Sequence, residues 1–414
     1  MTDLDSFSAL LTPEGQALLA ALHDHDPADE LATATRLRRD HPADLVSAAL
    51  GQARLRQRAA AKFGADAGRM YFTPNGVEQS TRATVAAHRA ARLAALGVGT
   101  LADLCSGIGG DAIALARAGI RVLAVDRDPL ACAAARANAD ALGLAELIEV
   151  RCADVTEVDT AGYDAVFVDP ARRGPTRGAA RSASSRGGGR ATGGRIFDPE
   201  AYSPPLSWAV AAARTAPFAA LKIAPGVPHE ALPEDAETEW ISDGGDVKEA
   251  VVWFGTEPGA RRATLLPAGH SLLGAGLPDP EPGAVGRYLY EPDGAVIRAH
   301  LVADVARQVD GRLIDPTIAY VTADALRPTP YATAYEITDV LPFHVKRLRA
   351  LLRERGVGIA VIKKRGSAVE PEELRKKLKL AGGGNSVTIF LTRVAGAPSM
   401  LLGRPADGPV TSGR

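Results

Sequence analysis

Asp103, Gly107, Gly109, Gly110, Asp111 and Asp126 combine residue types and spacings suited to holding a nucleotide-like ligand. The run Asp103-Leu104-Cys105-Ser106-Gly107-Ile108-Gly109-Gly110-Asp111 ends a hydrophobic stretch, and Asp126 ends a second one at the spacing of a βαβ unit. Glycine lets the backbone approach a ligand that a side chain would push away. Asp126 is placed to accept hydrogen bonds from ribose hydroxyls. The pattern predicts a site for an adenosine-type ligand. The elements that must position it are a strand over 101–104, a helix over 112–118 and a second strand over 121–125.

Two more predicted strands end in polar residues. The strand over 148–150 runs into Cys152-Ala153-Asp154, and that over 164–168 runs into Asp169-Pro170-Ala171-Arg172-Arg173. Ligands of open α/β sheets bind outside the carboxyl ends of the strands, so all four ends face one crevice. The glycine turn by itself also suits an NAD-dependent oxidoreductase, which is the competing enzyme class. Taken together, the four ends resemble the class I S-adenosylmethionine-dependent methyltransferases, and the turn is most similar to that of RNA-modifying members. Glu78-Gln79-Ser80, Lys222-Ile223-Ala224-Pro225-Gly226, Lys248-Glu249 and Lys363-Lys364-Arg365-Gly366 extend the likeness to nearly the whole chain. They resemble one bacterial family with a helical N-terminal region, a methyltransferase core and a THUMP-like C-terminal domain.

The resemblance implies S-adenosylmethionine as cofactor. It implies that Asp103 accepts from the cofactor's amino group, that Gly107 and Gly109 admit its methionine part, that Asp126 holds the ribose and that Asp154 faces the adenine. Cys105, Ser106, Asp111, Arg127 and Val155 are expected to line the same site. Helix capping is the alternative for Asp111 and Asp154. Asp169, Pro170, Arg172 and Arg173 form the expected catalytic motif. Amine-methylating relatives place Pro-Pro and an aromatic after the acidic residue, whereas Ala171 and Arg172 stand here, so stacking gives way to a guanidinium plane or a phosphate contact. No cysteine lies near this motif or the Lys222 loop, which leaves a nitrogen or oxygen of an RNA nucleotide as the target. Lys222 and the turn Lys363, Lys364, Arg365 and Gly366 are the expected RNA contacts, with Lys248 and Glu249 as a supporting pair. A catalytically silent RNA-binding protein of the same fold is the third reading.

The predicted fold class is α/β, a Rossmann-like class I methyltransferase core with a helical N-terminal domain and C-terminal α+β modules, ferredoxin-like and THUMP-like. Residues 1–95 read as helices broken at Pro13, Pro27, Pro42 and Pro74, with long helices over 44–63 and 79–96. Residues 96–268 read as the core, with later strands at 219–223, 239–242 and 250–254 and a hairpin turn at Asp243-Gly244-Gly245-Asp246. A Gly- and Pro-rich linker over 274–286 leads to a small ferredoxin-like unit, 283–327. The THUMP-like domain, 333–405, alternates strand and helix: strands over 334–337, 358–362 and 386–392, helices over 342–355 and 371–380.

Composition sets the remaining bounds. At 414 residues and 46% hydrophobic content the chain has apolar surface for two or three cores. No membrane segment or secretory signal is visible, Cys105, Cys132 and Cys152 show no disulfide or metal spacing, and the eight His are scattered. The expectation is a cytoplasmic protein without a metal, of unspecified oligomeric state. The net charge of −1 conceals residues 343–393, where 13 Lys and Arg face four Asp and Glu, a balance of +9 that suits a tRNA or rRNA partner. Residues 172–195 hold seven Arg, seven Gly and no acid, and read as a cationic loop beside the catalytic motif.

Overall fold

The computed structural model describes residues 2–171, 200, 202–380 and 382–406. Arg172, Arg173 and the rest of the 172–195 stretch lie outside the described residues. The chain divides into two compact units, residues 1–237 with 249–259, and 238–248 with 260–414.

In the first unit, proline starts helices instead of only ending them. Pro13 opens α2 (Pro13–Ala21) and Pro74 opens α5 (Pro74–Gln79), each after a threonine N-cap, and Pro42 precedes α4 (Ala43–Phe63). The remaining helices of this region are α1 (Asp3–Leu10), α3 (Glu30–Leu37) and α6 (Ala83–Ala95). The helix expected over 79–96 therefore starts later, at Ala83, and Gln79 closes α5. The Ser80 hydroxyl bonds the Gly76 carbonyl at 2.6 Å as α5 ends, and Ser80 and Arg82 both take extended ψ values, so Thr81 lies in a break between helices.

The sheet of this unit contains β1 (Thr100–Leu104), β2 (Arg121–Asp126), β3 (Ile148–Cys152), β4 (Ala165–Val168) and β5 (Phe218–Ile223), all parallel in the order β3-β2-β1-β4-β5. Every residue of β4 is fully buried, as expected for a parallel strand covered on both faces. Helices α7 (Gly110–Arg117), α8 (Pro129–Ala141) and α9 (Leu206–Ala213) provide crossovers. After β6 (Glu237–Asp243), Gly244 and Gly245 turn the chain at positive φ into β7 (Asp246–Phe254), whose residues 250–254 run antiparallel to β5. The strand order reverses between β1 and β4, so the crevice opens above β1.

In the second unit, β6 pairs with β8 (Arg261–Leu266), and β8 with β9 (His270–Leu273). A seven-stranded sheet follows. Its strands are β10 (Tyr288–Pro292), β11 (Arg312–Leu313), β12 (Val321–Ala323), β13 (Ala332–Pro342), β14 (Val357–Lys364), β15 (Asn385–Val394) and β16 (Ala397–Pro405), in the order β11-β12-β10-β13-β16-β15-β14. The stretches read as separate units, 283–327 and 333–405, thus share one sheet, because β10 bonds β13. Strand β16 escapes the sequence reading because its hairpin turn, Ala395-Gly396, lacks the usual Asn-Gly or Asp-Gly signal; both residues have positive φ. Helices α10 (Gly294–Arg298) and α11 (Val302–Val309) precede β11. Helices α12 (Val345–Glu354) and α13 (Pro371–Leu378) bury Leu348, Leu352, Leu374 and Leu378 in a core shared with Ile389, Leu391 and Met400. Among the described residues no helix is long and apolar enough to cross a membrane.

Candidate active site

Three backbone hydrogen bonds bring the loops of the first unit's sheet to one level. Asp169 donates to the Leu104 carbonyl at 3.2 Å, Ser106 to Val125 at 3.0 Å and Ala153 to Asp126 at 3.0 Å. The turn between β1 and α7 is left-handed at Cys105 (φ +68°), Gly107 (+55°) and Gly109 (+84°). A side chain at Gly109 would begin 3.4 Å from the Ala135 Cβ, whereas one at Gly107 would meet no atom within 4 Å. The left-handed backbone at Gly109 therefore favours glycine more than the space there does, and Gly107 leaves an open face. Asp126 fastens the turn: Oδ2 accepts from the Gly107 N–H and Oδ1 from the Asp128 N–H, both at 2.9 Å. It is half-buried, and a carboxylate with one bond per oxygen retains acceptor capacity.

Other expected cofactor residues behave differently. Asp103 is fully buried, with neither oxygen partnered. Burial, with Asp111 and Asp169 nearby and Arg89 opposing, pushes its carboxyl well above the usual range. Asp111 turns away from the glycine turn to the Arg89 guanidinium, so it caps nothing with its side chain. Asp154 is exposed, and Oδ1 accepts from the Thr156 N–H at 2.9 Å and hydroxyl at 2.7 Å; it caps the short turn that begins at the buried Val155. Arg127 is exposed, Ser106 has a buried hydroxyl without a partner, and burial pushes the Cys105 thiol upward. The turn thus carries the unpartnered Ser106 hydroxyl and an open face at Gly107, with the unpartnered Asp103 carboxyl on the strand that leads into it.

Behind the crevice lies a buried charge cluster. The Lys222 ammonium, 5% exposed, is 2.6 Å from Asp169 Oδ2, 3.0 Å from the Thr81 hydroxyl and 4.0 Å from Glu249 Oε2. Glu249 also meets Arg89, which bridges it to Asp111 and lies over the Phe167 ring, 4.4 Å from its centroid. Burial opposes the charge on Arg89 and Lys222, but Asp111 and Glu249 around the first, and Asp169 and Glu249 around the second, outweigh it and raise both pKa values. Lys222 is therefore not the RNA contact expected, since its ammonium is sealed and bonded within the protein. Lys248 and Glu249 do not pair, because successive strand residues point to opposite faces; Lys248 meets Asp246 at 3.1 Å.

Arg89 and Thr81 escape the sequence reading. The signal for Arg89 is its place in the stripe Val85, Arg89, Leu93, where i+4 spacing turns it inward with two buried apolar neighbours. The helical region also braces the glycine turn. Asn138 of α8 donates to the carbonyls of Ile108 at 2.9 Å and Tyr71 at 3.1 Å, and a side chain at Gly76 would begin 2.6 Å from Ile108 Cγ2.

In the second unit, the basic turn after β14 is matched internally. Lys363 pairs with Glu291, Lys364 with Glu370, and the Arg365 guanidinium lies 5.1 Å from the Tyr320 ring centroid. Gly366 has φ +75°, and a side chain there would begin 2.2 Å from Ile318 Cδ1, so it is a packing glycine. These four residues do not form the free phosphate-binding turn expected. Among the described residues no group of three or more His, Cys, Asp or Glu is arranged for a metal ion.

Over 362 residues the chain is 34% identical to an uncharacterised S-adenosylmethionine-dependent methyltransferase of Mycobacterium tuberculosis, found in two strains, covering 84% of this chain and 92% of that protein. This chain belongs to that S-adenosylmethionine-dependent methyltransferase family. Residues 98–180 of the methyltransferase match a family described as RNA cap guanine-N2 methyltransferase, 332–405 match one described as THUMP domain-like, and 3–59 match a domain of unknown function. A solved methyltransferase-fold structure from Porphyromonas gingivalis, 22% identical, superposes with a TM-score of 0.72 over 92% of this chain and 99% of that one. The cofactor of the methyltransferase is S-adenosylmethionine, and the nicotinamide alternative is set aside.

Proposed function

We propose that this methyltransferase modifies a nitrogen or oxygen of an RNA nucleotide, with Asp169 as the acceptor that meets the target. The observation that supports this most directly is the Asp169 carboxylate itself: one oxygen is bonded to Lys222, the side chain is about a quarter exposed, and the residue lies level with the glycine turn. S-adenosylmethionine supplies, when bound, a methyl group on a sulfonium. The protein's part is to align the target with that methyl and exclude water. Gly107, Ser106 and Asp126 would hold the cofactor, with Asp103 as a buried carboxyl behind them, while Asp169 orients the target. The family matches over residues 98–180 and 332–405 support RNA as the substrate class. Incubating the protein with methyl-labelled cofactor and total RNA from cells lacking it tests the reading: label should enter one nucleoside by mass spectrometry, and label in none would overturn RNA as the substrate.

Asp126→Ala is expected to weaken S-adenosylmethionine binding about 10- to 100-fold, the loss of a charged acceptor at about 1.5–3 kcal/mol. It also frees the Gly107 N–H from its partner, so the effect combines a missing hydrogen bond to the cofactor with a looser turn. An unchanged dissociation constant by calorimetry would remove Asp126 from the site.

With the turn after β14 matched internally, the proposed RNA surface is the exposed side of α12 and α13. Lys346, Arg347, Arg349 and Arg353 on α12, and Lys376 and Lys377 on α13, are exposed and have no ion-pair partner among the described residues. Replacing Lys346, Arg349, Lys376 and Lys377 with alanine should weaken RNA binding and lower the slope of log affinity against log salt by about 0.7 for each phosphate no longer neutralised. An unchanged slope would show that this face is merely solvated.

A further inference from the structure

We propose that Lys222 is a positioning residue for Asp169: it fixes one carboxylate oxygen inward so that the other is presented to the target. The inference rests on the reading of Asp169 as the target-side acceptor. An ammonium has three donor directions and no acceptor. Two of those of Lys222 reach Asp169 Oδ2 and Thr81 Oγ1, at 2.6 and 3.0 Å, Glu249 Oε2 stands 4.0 Å away as an ion-pair partner, and the side chain is 5% exposed. Arg89 holds the other oxygen of Glu249, so the cluster is anchored on α6 at one end and reaches the crevice at the other.

The consequence lies at Asp169. Its Oδ1 has no hydrogen-bond partner among the described residues, and the side chain is 24% exposed. A carboxylate bonded to an ammonium only accepts, so the group it meets must bring an N–H or O–H. Thr81 ties this arrangement to the helical N-terminal region, since it lies in the break between α5 and α6. The Glu78-Gln79-Ser80 stretch is thereby given a physical role: it ends α5 so that the next residue, Thr81, directs its hydroxyl at Lys222. Lys62 reinforces the segment by donating to the carbonyls of Glu78 and Ser80, both at 2.8 Å.

The test measures methyl transfer to total RNA from cells lacking the protein, alongside calorimetry with S-adenosylmethionine, for the wild type, Lys222→Met, Lys222→Arg, Asp169→Asn and the double variant Lys222→Met with Asp169→Asn. Lys222→Met should lower kcat about a hundredfold, the scale of a misplaced reacting group, with cofactor affinity kept within about twofold. Lys222→Arg, which keeps the charge, should recover much of that loss. In the Asp169→Asn background, Lys222→Met should cost less than about twofold more, since residues acting as one unit are non-additive. An equal loss in both backgrounds would mean a merely structural lysine and overturn the proposal. Should Lys222→Met fail to fold, Thr81→Val allows the same comparison. Wild-type protein that binds the cofactor yet labels no RNA would overturn the reading of the target instead. The positioning role would then be decided by the crystal structure of Lys222→Met, where an Asp169 carboxylate left in place overturns it and one turned away supports it.

Discussion

Asp169→Ala is expected to lower methyl-transfer turnover about a hundredfold or more while S-adenosylmethionine affinity stays within about twofold. The proposed cofactor residues lie on β1, β2 and the glycine turn, and the bonds that Asp126 makes there do not use the Asp169 side chain. The substitution leaves Lys222 with Thr81 and Glu249, so its charge keeps a buried counter-ion and the fold should hold. What disappears is Oδ1, which has no hydrogen-bond partner among the described residues and which the proposal directs at the target. Single-turnover kinetics beside calorimetry checks the split. A large loss of cofactor affinity with turnover preserved at saturation would exchange the roles assigned to Asp169 and Asp126.

The largest effect on stability is expected from Arg89→Met. Arg89 is 1% exposed and stands between Asp111 and Glu249, so its removal leaves two buried carboxylates with one cation fewer. Breaking a buried pair from one side costs about 3–5 kcal/mol. For a unit of this size that is a fall in Tm on the order of 10 °C. The loss should depend on pH, with a sign set by Glu249. Burial already raises its pKa, with Arg89 and Lys222 opposing; without Arg89 it rises further. A carboxyl whose folded pKa is raised favours the fold below its unfolded pKa and loses that contribution as pH rises through the folded value. The variant should therefore be closest to the wild type at acid pH and furthest from it near neutrality. Thermal melts at several pH values decide the matter, and a Tm within about 2 °C of the wild type at neutral pH would show that the cluster contributes little.

Local features of this chain were legible without its fold. The core strands β1, β2 and β4 are short apolar runs stopped by Asp or Gly, and the turn between β1 and α7 needs left-handed backbone at Gly107 and Gly109, which glycine supplies at little cost. The place of Asp126 at the end of β2 could be read as well, because it is a matter of spacing along the chain. The prolines read as breaks at 13 and 74 do fall at helix boundaries, where they open α2 and α5.

Tertiary structure alone decided the rest, because the deciding interactions join residues far apart in sequence. Arg89 and Glu249 are separated by 160 positions, and Lys222 and Thr81 by 141; no local pattern encodes such pairs. Burial then changed what each group does. Asp103, read as an acceptor at a strand end, is fully buried, which raises its pKa, and Lys222, read as an RNA contact, directs its donors inside the protein. The charge of the turn after β14 was visible in sequence, but its availability was not, since Glu291 and Glu370 cancel Lys363 and Lys364 only once β10 and the segment before α13 have folded beside them. Residue type and spacing determine which chemistry a chain can offer, and desolvation and long-range pairing determine which of those groups still face a substrate.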